Sequence, residues 1–172
     1  MFDLSRINLI KESYIPSLLD PEYLEKILIP HLGLSREALY PESLKNSCSQ
    51  GLYCAQYPNQ LNKYLIFLAK YKIETYLEIG LERGGTFITT LEYLSRINSP
   101  VKFALGIDII EKPVLFNEYF KINKNAYYLK LSSQSAEFRE ILEAKPAFDL
   151  VLIDGDHSYQ ACMKDFETVK EF

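Results

Sequence analysis

The stretch from Thr75 to Asp108 constrains this chain more than any other part of it. Thr75–Ile79, TYLEI, is a short apolar run of strand type. Gly80, Gly84 and Gly85 follow within one tight turn. Phe87, Ile88, Leu91, Leu94 and Ile97 then recur at helical spacing, and a second buried-type strand, Phe103–Ile107, ends in Asp108. Strand, glycine turn, helix, strand and acid make half of a mononucleotide-binding unit. The chain has only seven glycines, and Gly80, Gly84, Gly85 and Gly106 all lie here. Glycine is spent where backbone must bend or approach a ligand closely.

The rest of the chain supports that frame. Pro58 opens a helix through about Tyr71, with Leu61, Tyr64, Leu65, Leu68 and Tyr71 on one face. After Asp108, Phe116, Tyr119 and Phe120 indicate another helix. Ala126–Leu131 reads as a third strand, and Ser133 or Ser135 caps a helix with Phe138, Ile141 and Leu142. Pro146 precedes a fourth strand, Phe148–Ile153, which runs into Asp154-Gly155-Asp156-His157-Ser158. Ser158 caps a last helix with Tyr159, Cys162, Met163, Phe166 and Val169 as its core face. Strands that are apolar throughout and alternate with helices predict an α/β fold. The expected form is a doubly wound, Rossmann-like parallel sheet of about four strands, covered on both faces. Residues 58–172 form that domain.

Residues 1–57 form an N-terminal helical and loop arm. Asp20-Pro21 starts a helix, Pro30 stops it, Ser35 caps a short helix up to Pro41, and residues 41–57 read as loop. His31 reads as a surface or helix-end residue. The chain of 172 residues carries a net charge of −4, with no basic surface suited to nucleic acid. No apolar run approaches membrane-spanning length and no signal peptide opens the chain, so the expected compartment is the cytoplasm. The three cysteines, Cys48, Cys54 and Cys162, match no zinc spacing. Cys162 reads as core packing, and a Cys48–Cys54 bond is disfavoured in a reducing compartment.

In a parallel sheet, ligands sit at the carboxyl ends of the strands. Glu78, Asp108 and Asp154 should therefore converge. The Gly80-x3-Gly84-Gly85 spacing with Glu78 two residues earlier is poor for a pyrophosphate and good for a ligand bearing an ammonium group. That spacing disfavours a nicotinamide oxidoreductase. Asp108 suits a pair of ribose hydroxyls, and Ser132, Ser133 and Gln134 lie where an adenine edge would fall.

YLEIGLERGGTF, ALGIDI and FDLVLIDGDHSYQACMKDF resemble motifs of the class I S-adenosylmethionine-dependent methyltransferases. The last resembles the metal-dependent O-methyltransferases of sugar, macrolide and antibiotic tailoring. The resemblance covers about residues 58–172. It implies an enzyme that methylates a small hydroxylated acceptor, a sugar or glycoside. By position, it implies that Glu78, Gly80 and Gly84 line the methionine end of the cofactor, Asp108 the ribose and Ser133 the adenine. It further implies Asp154 as a Mg²⁺ ligand, His157 as general base and Asp156 as its support. The family completes its metal site from a fifth strand, which this chain does not contain. The expectation is thus an incomplete metal site and a fourth strand whose open edge a second copy or further polypeptide covers. A nucleoside-binding module without turnover is the alternative of a different class.

Overall fold

The computed structural model describes residues 1–97, 99–144 and 147–172. Its centre is a four-stranded, all-parallel sheet of β1 (Thr75–Ile79), β2 (Phe103–Asp108), β3 (Ala126–Lys130) and β4 (Leu150–Ile153). The strand order is β3-β2-β1-β4. Succession therefore runs outward from β1 to β3, then returns to the other side of β1. That reversal is the point where a doubly wound sheet opens a crevice at its carboxyl edge. The helices are α1 (Pro58–Leu68), α2 (Gly85–Arg96), α3 (Val114–Ile122), α4 (Ala136–Glu143) and α5 (Tyr159–Val169).

Strand side chains alternate between two apolar clusters, as the pleat requires. Tyr76, Ala104 and Ala126 join α1, α2, α3 and the arm on one face. Leu77, Ile79, Leu105 and Ile107 join Phe138, Leu142 and Val169 of α4 and α5 on the other. The arm belongs to the first cluster. Ile10, Leu18, Leu24, Ile29, Leu32, Leu34 and Leu52 are fully buried there. Isolated bridges between Phe2 and Gly51, and from Leu34 to Cys48 and Cys54, tie it together.

Several local expectations change. Pro30 does not stop its helix: helical structure continues through Ile29–Leu32 and ends at Gly33, whose φ is +99°. A wider π-type turn, Leu24–Leu28, precedes Pro30, so that the Ile29 N–H reaches Leu24 and the missing Pro30 N–H falls at a break in the regular ladder. Ser35 is buried, and the helical structure between it and Pro41 is a single 3-10 turn (Glu37–Leu39). The segment expected as loop contains a 3-10 helix, Glu42–Ser47. The first long helix ends at Leu68, leaving Tyr71 exposed.

Pro146 lies outside the described residues. The fourth strand starts at Leu150, not Phe148, because Asp149 turns its carboxylate to the N–H groups of Glu74 (2.7 Å) and Thr75 (2.9 Å). It thereby anchors the start of β1. On α5 the buried residues are Asp165 and Val169, while Tyr159, Met163 and Phe166 face outward. Cys162 is only half-buried, its thiol on the Asp156 carbonyl at 3.2 Å. Cys54 and Cys162 are free thiols, and burial pushes the Cys54 thiol up to about 11. No described helix is long and apolar enough to cross a membrane.

Candidate functional site

The glycine turn divides its work. Gly80 has φ +83°, and a Cβ there would stand 2.4 Å from the Gly155 Cα and 2.5 Å from the Asp154 carbonyl oxygen. Only a residue without a side chain lets the chain leaving β1 pass this close to the chain leaving its parallel neighbour β4. The approach is held by the Asp154 N–H on the Ile79 carbonyl at 2.8 Å. Gly84 is the N-cap of α2 at φ +81°, and a Cβ there would meet the Phe116 ring at 2.3 Å. Gly84 therefore packs beneath an aromatic ring and is not among the residues that line the cavity described below. A Cβ on Gly85 would strike the arm backbone at Leu52 and Cys54, so this glycine admits the arm.

Glu78 points into the first apolar cluster, on the same face of β1 as Tyr76, and is 1% exposed. The Tyr76 hydroxyl donates to its carboxyl. Burial is the main cause that pushes the Glu78 carboxyl up to about 8, with the charges of Asp154 and Asp108 adding to it. Tyr76 opposes that rise by stabilising the ionised form. A carboxyl held there is neutral over much of the physiological range unless a cation meets it.

Asp108 closes the turn from the neighbouring strand. Its Oδ2 accepts from the N–H groups of Leu81 (2.8 Å) and Glu82 (2.9 Å), and its Oδ1 from that of Ile110 (3.3 Å). These bonds hold Glu82 in a left-handed conformation at φ 49°. Ser133 donates to the Asp165 carboxylate at 2.6 Å, linking the loop after β3 to α5, while Ser135 caps α4. Asp154, half-buried, accepts from Gln56 Nε2 at 2.6 Å. Burial raises the Asp154 carboxyl above the usual range, and His157 and Gln56 pull against that rise. Asp156 is exposed and accepts from the Ser158 N–H at 2.8 Å.

One cavity of about 840 Å³ opens at the carboxyl ends of the strands, within the size range of small-molecule sites. It brings together Glu78, Gly80, Asp108, Ser133, Asp154 and His157. Gln56, Tyr57, Gln60, Thr86 and Asp165 also line it and were not among the expected residues. Gln56, Tyr57 and Gln60 come from the arm and the start of α1. Their only sequence signal was the Pro58 helix start just after a polar loop, which says nothing about where the helix docks. Asp165 sits in a stripe that reads as solvent-facing.

The residues do not fit a bound divalent cation. Among the described residues, no three His, Cys, Asp or Glu side chains gather as metal ligands. Asp154 is instead met by a neutral amide.

No protein-family model matches this chain. It is similar to the uncharacterized protein R132 of Acanthamoeba polyphaga mimivirus, at 31% identity over 100 residues. That alignment takes in 54% of this chain and 43% of the relative, so the chain spans less than half the relative's length.

Proposed function

We propose that this chain forms the cofactor-binding part of an S-adenosylmethionine-dependent O-methyltransferase acting on a small hydroxylated acceptor. The observation that carries the reading is the placement of Glu78, Gly80, Asp108 and Ser133 on one cavity at the strand-order reversal. Glu78 offers a carboxyl to an ammonium group at the cavity floor. Asp108 accepts three backbone hydrogen bonds that fix the turn and keeps about one acceptor site free on Oδ1, enough for one ribose hydroxyl. Ser133 and Gln134 stand where an adenine edge would lie. The cofactor, when bound, would supply a methyl group activated on a sulfonium. The chain's own task is then to position an acceptor hydroxyl and receive its proton, and His157 at the cavity rim is the candidate base.

Calorimetry with S-adenosylhomocysteine and NAD tests the reading. The sulfur nucleoside is expected to bind, and Asp108→Ala to weaken it about 10- to 100-fold, the effect of losing hydrogen bonds to a charged group. Tight NAD binding with no response to S-adenosylhomocysteine would reject the assignment. His157→Ala is expected to lower methyl transfer by about 10²-fold without changing S-adenosylhomocysteine affinity. Unchanged turnover in that variant would remove His157 from the chemistry.

The second reading, a nucleoside-binding module without turnover, draws on the commitment of Asp154 to Gln56. It expects the same nucleoside affinity and no methyl transfer to any hydroxylated acceptor.

A further inference from the structure

The cavity is lined by Glu78, Glu82, Asp108, Asp154, Asp156 and Asp165, and by no lysine or arginine among the described residues. The neighbouring cations Arg36, Lys164 and Arg83 each have a partner. Arg36 pairs with Glu82 at 3.4 Å on the exposed rim. Lys164 donates to Gln134 Oε1 at 2.7 Å. Arg83, although it lies inside the glycine turn, stacks on the rings of Phe2 (5.6 Å) and Tyr53 (4.9 Å). An anionic ligand would meet mainly acidic side chains on this wall, with His157 the one basic side chain among the described residues that line it.

The carboxylates fall into two groups. Glu78 and Asp108 face the part of the cavity assigned above to the cofactor. Asp154 and Glu82 lie toward the arm, where Asp154 touches Gln56 and Glu82 touches Arg36. Asp156 follows Asp154 on the same loop. These arm-side acids share their wall with Gln60, whose amide offers donors and an acceptor, and with Gln56, which donates one N–H to Asp154 and keeps the other N–H and its oxygen, the pairing that hydroxyl groups need. The Tyr57 ring is 44% exposed and is braced edge-on by Tyr40 at 5.5 Å. An open aromatic face beside carboxylates suits a ring with one apolar face and a positive charge.

Resting on the methyltransferase reading, we infer that the acceptor is a cationic, polyhydroxylated ring, an aminosugar or aminocyclitol, and not a phosphorylated or carboxylated one. The carboxylates hold the ammonium group, the two amides read the hydroxyls, and Tyr57 supports the ring. Selection is then by charge before it is by shape, because the repulsive element is built into the wall.

Three matched probes test this: glucosamine, glucose and glucose 6-phosphate, titrated by ligand-observed NMR in slightly acid buffer with S-adenosylhomocysteine present. Glucosamine is expected to bind at least about tenfold more tightly than glucose, with the 6-phosphate weakest. Asp154→Asn and, independently, the surface change Glu82→Gln should each narrow that gap, and added salt should narrow it in the wild-type protein. Equal or tighter binding of the 6-phosphate, equal binding of all three, or binding of none overturns the proposal. S-adenosylhomocysteine is titrated alone in parallel. Its failure to bind sinks the methyltransferase reading, whereas its binding together with a preference for the 6-phosphate sinks the acceptor assignment alone.

Discussion

Gly80→Ala is expected to cost about 2–5 kcal/mol of folding free energy and to abolish nucleoside binding in whatever protein remains folded. Two effects add. The backbone at Gly80 has φ +83°, a conformation that penalises any Cβ. The new methyl would also lie 2.4 Å from the Gly155 Cα and 2.5 Å from the Asp154 carbonyl oxygen. Both are backbone atoms, so relief requires the end of β4 to move off the end of β1. That movement carries Asp154 away from Gln56 and opens the cavity floor around Glu78. Gly84→Ala makes an instructive comparison. Its methyl meets the Phe116 ring at 2.3 Å, and that ring is fully buried against Phe87 and Phe120. It should destabilise the fold yet leave the cavity wall in place, since Gly84 does not line it. Urea denaturation and calorimetry on both variants separate the two roles. A loss under about 1 kcal/mol for Gly80→Ala would show that the close approach of the β1 and β4 ends yields easily.

Glu78→Gln is expected to stabilise the ligand-free protein at alkaline pH, by an amount on the order of 3–5 kcal/mol if burial alone sets the effect. The sign follows from the two states. In the unfolded chain the Glu78 carboxyl has its ordinary value of 4.5, and in the fold it is raised to about 8. Between those values the folded state binds the extra proton, so stability is full below the lower value and falls as pH rises toward the higher. Asp154, also raised by burial, contributes in the same direction. Denaturation curves for the wild-type protein should therefore weaken steadily from about pH 5 to pH 8. The Gln variant should show a flatter profile and lose affinity for an ammonium-bearing nucleoside. A wild-type stability that is flat over that range, or a Gln variant that is weaker at the alkaline end, would place a charged Glu78 in the free protein.

Much of the fold was legible because its signals are local. The bounds of β1 follow from TYLEI and the glycine after it. The span of β2, the cap of α4 at Ser135 and the start of α5 after Ser158 likewise depend on runs of a few residues. The errors fall where a distant partner overrides local preference. Asp149 leaves β4 because two N–H groups at the start of β1 bind it. Tyr159, Met163 and Phe166 have the spacing of a core stripe, yet α5 lays Asp165 and Val169 on the sheet. The carboxylate of Asp165 can be buried there because Ser133 donates to it. Pro30 continues a helix because the π-type turn Leu24–Leu28 breaks the regular ladder just before it and sets it in the first turn of the next segment, where its missing N–H costs little.

Within the site, the sequence by itself determined which groups stand at strand ends. In a parallel α/β sheet the carboxyl ends must lie on one edge, so Glu78, Gly80, Asp108 and Asp154 were bound to share it. Tertiary structure alone decided what those groups can do there. It buried Glu78 beside Tyr76, and so turned an ordinary carboxylate into one that retains its proton to about pH 8. It gave Gly84 to Phe116 and Gly85 to the arm, leaving Gly80 as the glycine of that turn on the cavity. It brought Gln56 from 98 residues away to the carboxylate of Asp154. The physical reason is the same in each case: strand order and backbone spacing are local properties of the chain, whereas desolvation and hydrogen-bond partnership depend on what packs against it.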